Sequence, residues 1–151
     1  MQTKDISECR QYLQDMADEL TVLSSMDQME MYRFLTEQGG NLPALEESER
    51  TDENFVQGCV SNVYVSHGVQ DGRIRYRGSS DSLIVRGYLA ILIEALSGLT
   101  LDDVLEQSRV LVEEFAEKTN IRATLTPNRA NAFGNIYQLM YDKAEGAKKT
   151  A

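Results

Sequence analysis

The chain has one histidine, two cysteines, two prolines and no tryptophan in 151 residues. Two sulfurs and one imidazole fall short of the four Cys or His ligands of a closed structural zinc site. Two cysteines also make no disulfide framework, and a reducing compartment keeps both as thiols. No apolar run reaches membrane-spanning length; the longest, Tyr88 to Ala95, is broken by Glu94. The start, Met1-Gln2-Thr3-Lys4-Asp5, lacks the apolar centre of a signal peptide, so a cytoplasmic protein without membrane contact is expected. No glycine cluster is followed by Lys-Ser or Lys-Thr, which excludes a phosphate-binding loop of that kind. Basic residues number 15 against 24 acidic ones, and a net charge of −9 disfavours nucleic acid. What remains is an ordinary globular composition, 42% hydrophobic and 26% charged, expected as a single domain over residues 1–151.

Helical signals dominate both ends. Asp5-Ile6-Ser7-Glu8 reads as a capping box, followed by an apolar stripe Ile6, Cys9, Leu13, Met16, Leu20, Leu23. Cys9 on that stripe is expected as a small buried hydrophobe. A second helix is expected from about Met26 to Gln38, ended by Gly39-Gly40. Glu46 to Glu53 then reads as an acidic, solvated connector. Leu83 to Ser97 is apolar nearly all round, the mark of a central core helix. Gly87 inside it costs roughly 1 kcal/mol relative to alanine, so close approach of another backbone is expected there. A short helix from Thr100 and a separate helical segment around Val110 to Lys118 are expected next. Thr126-Pro127 starts a final helix with its apolar face on Phe133, Ile136, Tyr137 and Met140. The tail Glu145 to Ala151 is expected to fray.

Strand signals occupy the middle. Val60 to Ser66 suits a pleated strand, His67 to Gly72 a hairpin connection, and Arg73-Ile74-Arg75-Tyr76-Arg77 a half-buried second strand. Gly78 to Asp81 breaks the pattern, with Ser80 or Asp81 placed to cap the next helix. The expected class is α+β, a small, mostly antiparallel sheet packed against several helices.

The chemistry converges on Cys59. Gly58 before it lets the backbone turn sharply and approach another surface. A thiol at a loop-to-strand junction can be presented to a partner. A thiolate is the reactive form, and Arg73, Arg75, Arg77, Arg86, Arg129 and His67 are the cations available to favour it. Cys59 and His67 stand eight residues apart across strand and turn, too far for a nucleophile–base pair. From spacing alone, a buried core thiol and a working one read equally well.

The segment Gly58-Cys59-Val60-Ser61-Asn62-Val63-Tyr64 resembles the Gly-Cys-x-Ser-x-Val-Trp signature of the SufE family, sulfur acceptors of cysteine desulfurases. Asn41-Leu42-Pro43, Arg50-Thr51-Asp52, the block Ser80 to Gly87, Leu96-Ser97-Gly98 and Leu125 to Asn131 resemble further family stretches in the same order. Val60, Asn62, Tyr64 and Ala132 depart from the usual family residues. The resemblance implies the α+β fold shared with IscU-type scaffolds. It implies that Cys59 takes a persulfide sulfur from a pyridoxal-phosphate cysteine desulfurase (SufS-like), stimulates that enzyme, and passes the sulfur to iron–sulfur cluster assembly on a SufBCD-type scaffold. It implies an acceptor holding no cofactor of its own and acting as a desulfurase activator more than a stand-alone enzyme. Gly58, Ser61, Asp81, Arg86 and Arg129 are carried over as shaping the cysteine's surroundings or the partner contact. An apolar pocket walled by Phe55, Val60 and the Leu83–Leu96 helix is expected to shelter the persulfide. Two alternatives stand beside this reading: a CsdE-like carrier serving another acceptor such as tRNA modification, and a non-catalytic interaction module.

Overall fold

The computed structural model describes residues 3–59 and 61–150. Val60, the expected first residue of a strand and wall of a pocket, lies outside the described residues.

Helix α1 (Ile6–Met26) opens on the expected capping box: Asp5 accepts from the Glu8 N–H, and Glu8 accepts from the Asp5 N–H. Its inward stripe is Cys9, Leu13, Ala17 and Leu20, all buried. Asp27 alone separates it from α2 (Gln28–Gly40), ending α1 and capping α2 through the Met29 N–H. Helix α2 runs through both glycines instead of stopping before them. A Cβ on Gly39 would meet Arg86 Cγ at 3.0 Å, so that glycine serves helix contact rather than termination.

The central helix is α3 (Leu83–Leu96). Ten of its residues are buried, and it packs on α1, α2, the last helix and the sheet. The close approach expected at Gly87 is present: a Cβ there would lie 2.3 Å from the Leu35 carbonyl oxygen of α2. Ser82, not Ser80 or Asp81, caps α3.

Strands β1 (Val63–Gln70) and β2 (Arg73–Ser80) form a two-stranded antiparallel sheet, with Val63 opposite Ser80 and Gln70 opposite Arg73. Strand β1 continues past the expected end at Ser66 to take in His67 to Gln70, and β2 continues past Arg77 through Gly78 to Ser80, where a break was expected. Asp71 (φ 55°) and Gly72 (φ 74°) make the whole connection, because two positive φ angles give the turn whose twist matches the strands. Ile74 and Tyr76 are buried, and the Tyr76 hydroxyl donates to the Met140 carbonyl of the last helix at 2.7 Å.

Helix α4 (Leu101–Lys118) is continuous, where two segments were expected; Leu101, Val104, Ser108, Leu111, Val112 and Phe115 bury one unbroken face. A single turn, α5 (Ile121–Thr124), precedes α6 (Pro127–Thr150), whose start is capped by Thr126. The tail is helical to Thr150 instead of frayed. Ala144 is fully buried, and Lys148 pairs with Asp102 of α4. Glu49 in the acidic connector is structural: it accepts from the Ser66 hydroxyl at 2.6 Å and faces Arg77 at 3.5 Å. Among the described residues no helix is long and apolar enough to cross a membrane.

Candidate functional site

Cys59 stands at the tip of a short loop closed at its base. Phe55 bridges Tyr64, and the Val56 N–H donates to the Val63 carbonyl at 2.9 Å. The Phe55 and Tyr64 rings meet edge to face at 5.4 Å. Gly58 turns the chain at φ 83°, and a Cβ there would lie 2.8 Å from the Asn135 amide nitrogen of α6. The far side of the loop is pinned by Asp81. Its carboxylate accepts from the Asn62 N–H at 3.0 Å, and its own N–H donates to the Asn62 carbonyl at 3.3 Å. That pair explains why β1 begins at Val63: Asp81 replaces one further rung of the ladder.

The Cys59 side chain is half-buried and packs against the core, whereas Cys9 is fully buried. Burial pushes the Cys59 thiol pKa up. Several of the cations expected to favour the thiolate are engaged elsewhere. Arg73 donates to the carbonyls of Lys4 and Gly98, Arg77 to that of Ala44, and Arg129 stacks over the Tyr32 ring at 5.7 Å. His67 lies within β1 opposite Tyr76. Burial is the cause of the upward shift of the Cys59 thiol.

Two clefts flank the loop. One, of about 300 Å³, is lined by Ser61, Ser82, Val85, Arg129 and Ala132, with Thr126 and Asn128 at its rim. The other, of about 400 Å³, is lined by Asn62, Asp81, Arg86, Arg50, Tyr64 and Ser79 among others. The structure thus brings Ser61 together with Arg129, and Asp81 together with Arg86, on opposite sides of one segment. Of the walls expected for an apolar pocket at the thiol, Val85 of α3 lines the first cleft, whose lining does not include Cys59, Leu83 is exposed and Phe55 packs on Tyr64. Arg50 and Asn135 are the residues that reading the sequence did not place here. Nothing in the spacing brings α6 to Gly58 or the connector to Ser79. Among the described residues no three His, Cys, Asp or Glu side chains converge to hold a metal ion.

Fold and site together define an α+β protein with a half-buried thiol at the tip of a pinned loop. Residues 14–144 match the SufE family model, an Fe-S metabolism associated domain. The chain belongs to the SufE family. It is 40% identical over 118 residues to an uncharacterized SufE-like protein of Synechocystis sp., covering 78% of this chain and 72% of that one. A SufE-like protein of Rhizobium meliloti is 34% identical over 119 residues, covering 76% and 83%. The chloroplastic/mitochondrial SufE-like protein 1 of Arabidopsis thaliana is 34% identical over 114 residues, 75% of this chain but 30% of the longer plant protein. In fold, the chain is similar to a hypothetical protein from Thermus thermophilus, with a TM-score of 0.69 at 16% identity, covering 91% and 96%. Family membership connects the chain with iron–sulfur metabolism and suggests a sulfur-acceptor role with cysteine desulfurases.

Proposed function

We propose that Cys59 is the persulfide-accepting thiol of a one-domain cytoplasmic sulfur carrier. The supporting observation is the Cys59 loop, half-buried, pinned by Asp81 and turned by Gly58, inside the region that matches the family. The Cys59 sulfur attacks the outer sulfur of the desulfurase's cysteine persulfide. A new S–S bond forms to Cys59, the old S–S bond breaks, and the enzyme cysteine leaves as a thiolate that takes up the Cys59 proton. The sulfur moves with its oxidation state unchanged, so no external oxidant or reductant enters. Half-burial shelters the product persulfide from other thiols between donor and acceptor. Iron–sulfur cluster assembly on a SufBCD-type scaffold is the destination that fits the family description. Ser61 and Arg129 on one side, and Asp81 and Arg86 on the other, shape the contact with the desulfurase.

The test is intact-protein mass after incubation with a cysteine desulfurase and free cysteine. The parent chain and Cys9→Ser gain one or more reductant-sensitive sulfur atoms, and Cys59→Ser gains none. Absence of any gain on the parent beside an active desulfurase refutes the carrier reading.

A further inference from the structure

Among the described residues two buried side-chain polar atoms lack a hydrogen-bond partner, Arg86 Nε and the Tyr88 hydroxyl, and Arg86 is the charged one of the pair. It sits in the first turn of α3, partly buried, with its stem pressed against Gly39 of α2. Its Nε is buried without a hydrogen-bond partner among the described residues. Buried polar groups are almost always satisfied, and an unpaired buried charge is costly. Arg50 lines the same cleft from the connector. It donates to the Ser79 hydroxyl at 3.1 Å and lies over the Tyr64 ring at 5.7 Å. Its acidic neighbour, Glu47, stands 3.7 Å away with a side chain 94% exposed, a pair worth little. Asp81 is the one carboxylate in the lining, and it accepts from the Asn62 N–H. The lining thus carries two guanidinium groups and one carboxylate, with Glu47 beside Arg50 and, among the described residues, no ion pair at Arg86.

We propose that the cleft between Arg50 and Arg86 is a carboxylate-binding site, completed by an anion that pairs with Arg86. A planar monoanion matches the guanidinium forks, and Asp81 in the same lining opposes a dianion. The carboxylate comes either from a free small acid or from an acidic side chain of a docked desulfurase. Only the second source rests on the function proposed above.

The primary test needs no desulfurase. The isotope-labelled full chain is titrated with sodium acetate against sodium chloride at constant ionic strength, following the arginine Nε–H signals and the Asn62 and Ser79 amides by NMR. Saturable shifts at Arg86 and Arg50, specific to acetate, are expected. Losing one charge-assisted contact in Arg86→Gln or Arg50→Gln weakens acetate binding about tenfold or more. Arg50→Gln, at the partly exposed rim, carries the test if Arg86→Gln fails to fold. Shifts no larger than with chloride, affinity unchanged in a folded variant, or tighter binding of inorganic phosphate than of acetate overturns the proposal. Desulfurase turnover against carrier concentration then separates the sources. A raised KM with unchanged kcat in Arg50→Gln identifies the partner's side chain; an unchanged KM beside lost acetate binding identifies a free acid. Failure of the parent to accept sulfur refutes the carrier function while leaving the acetate result intact.

Discussion

Replacing Gly87 by alanine sets helix propensity against packing, and the two predict opposite signs. Alanine is favoured over glycine inside a helix by about 1 kcal/mol, so an unobstructed site gains stability. At Gly87 the added Cβ would meet the Leu35 carbonyl oxygen at 2.3 Å, its carbonyl carbon at 2.8 Å and its Cβ at 2.8 Å. Ordinary carbon contacts lie at ~3.5–4.0 Å, so α2 must retreat by about 1 Å from α3. The obstruction is backbone, which no rotamer change relieves. Overpacking of a tight core costs typically 1–3 kcal/mol, and a backbone clash between two buried helices belongs at the upper end. After the propensity gain, Gly87→Ala is expected to lose about 2 kcal/mol, a fall in Tm of roughly 4–8 °C for a chain of this length. Gly134 in α6 is the control, because a Cβ there meets nothing within 4 Å. Gly134→Ala is expected to gain about 1 kcal/mol, or roughly 2–4 °C. Thermal unfolding of both variants beside the parent decides the matter. A Gly87→Ala protein as stable as the parent, or more so, refutes the close α2–α3 approach.

Gly58 and Cys9 offer two further checks. Gly58→Ala carries both a left-handed φ and the contact with Asn135, but that contact is the mobile end of a side chain. The φ dominates, so urea unfolding should show a loss of about 1–2 kcal/mol in Gly58→Ala and the same loss when both Gly58→Ala and Asn135→Ala are compared with Asn135→Ala; recovery in the double variant assigns the cost to Asn135 instead. Burial raises the Cys9 thiol pKa from 9.0 to about 11. Below the lower value both folded and unfolded thiols are protonated; above it the unfolded chain loses its proton first, and stability falls until the folded thiol ionises. The stability gap between the parent and Cys9→Ala should therefore shrink by about 2 kcal/mol between pH 8 and pH 10.5. A gap independent of pH contradicts a buried thiol at position 9.

Local signals carried well into the structure. The Asp5 capping box, the Thr126-Pro127 start and the Ile74/Tyr76 alternation are written in neighbouring residues, and each appears as read, while the α1 stripe gains Ala17 and leaves Ile6, Met16 and Leu23 partly buried. Gly87 was legible as well, because a glycine in so apolar a helix needs a packing reason. Element ends were less legible. Gly39-Gly40 looks like a stop in isolation, yet α3 lies against Gly39 and the helix continues. The tail looks frayed in isolation, yet Ala144 is buried and Lys148 reaches Asp102.

The sequence alone determined the class of fold, the family and the candidate thiol, because periodicity, caps and a motif are local in the chain. Only the tertiary structure decided the state of that thiol and what surrounds it. Burial, not a neighbouring cation, sets the Cys59 pKa, since Arg73, Arg77 and Arg129 are engaged elsewhere. Asp81 turned from a helix cap into the pin of the cysteine loop, and Arg50 met Arg86 across one cleft. These outcomes depend on contacts between residues tens of positions apart, which spacing along the chain does not encode.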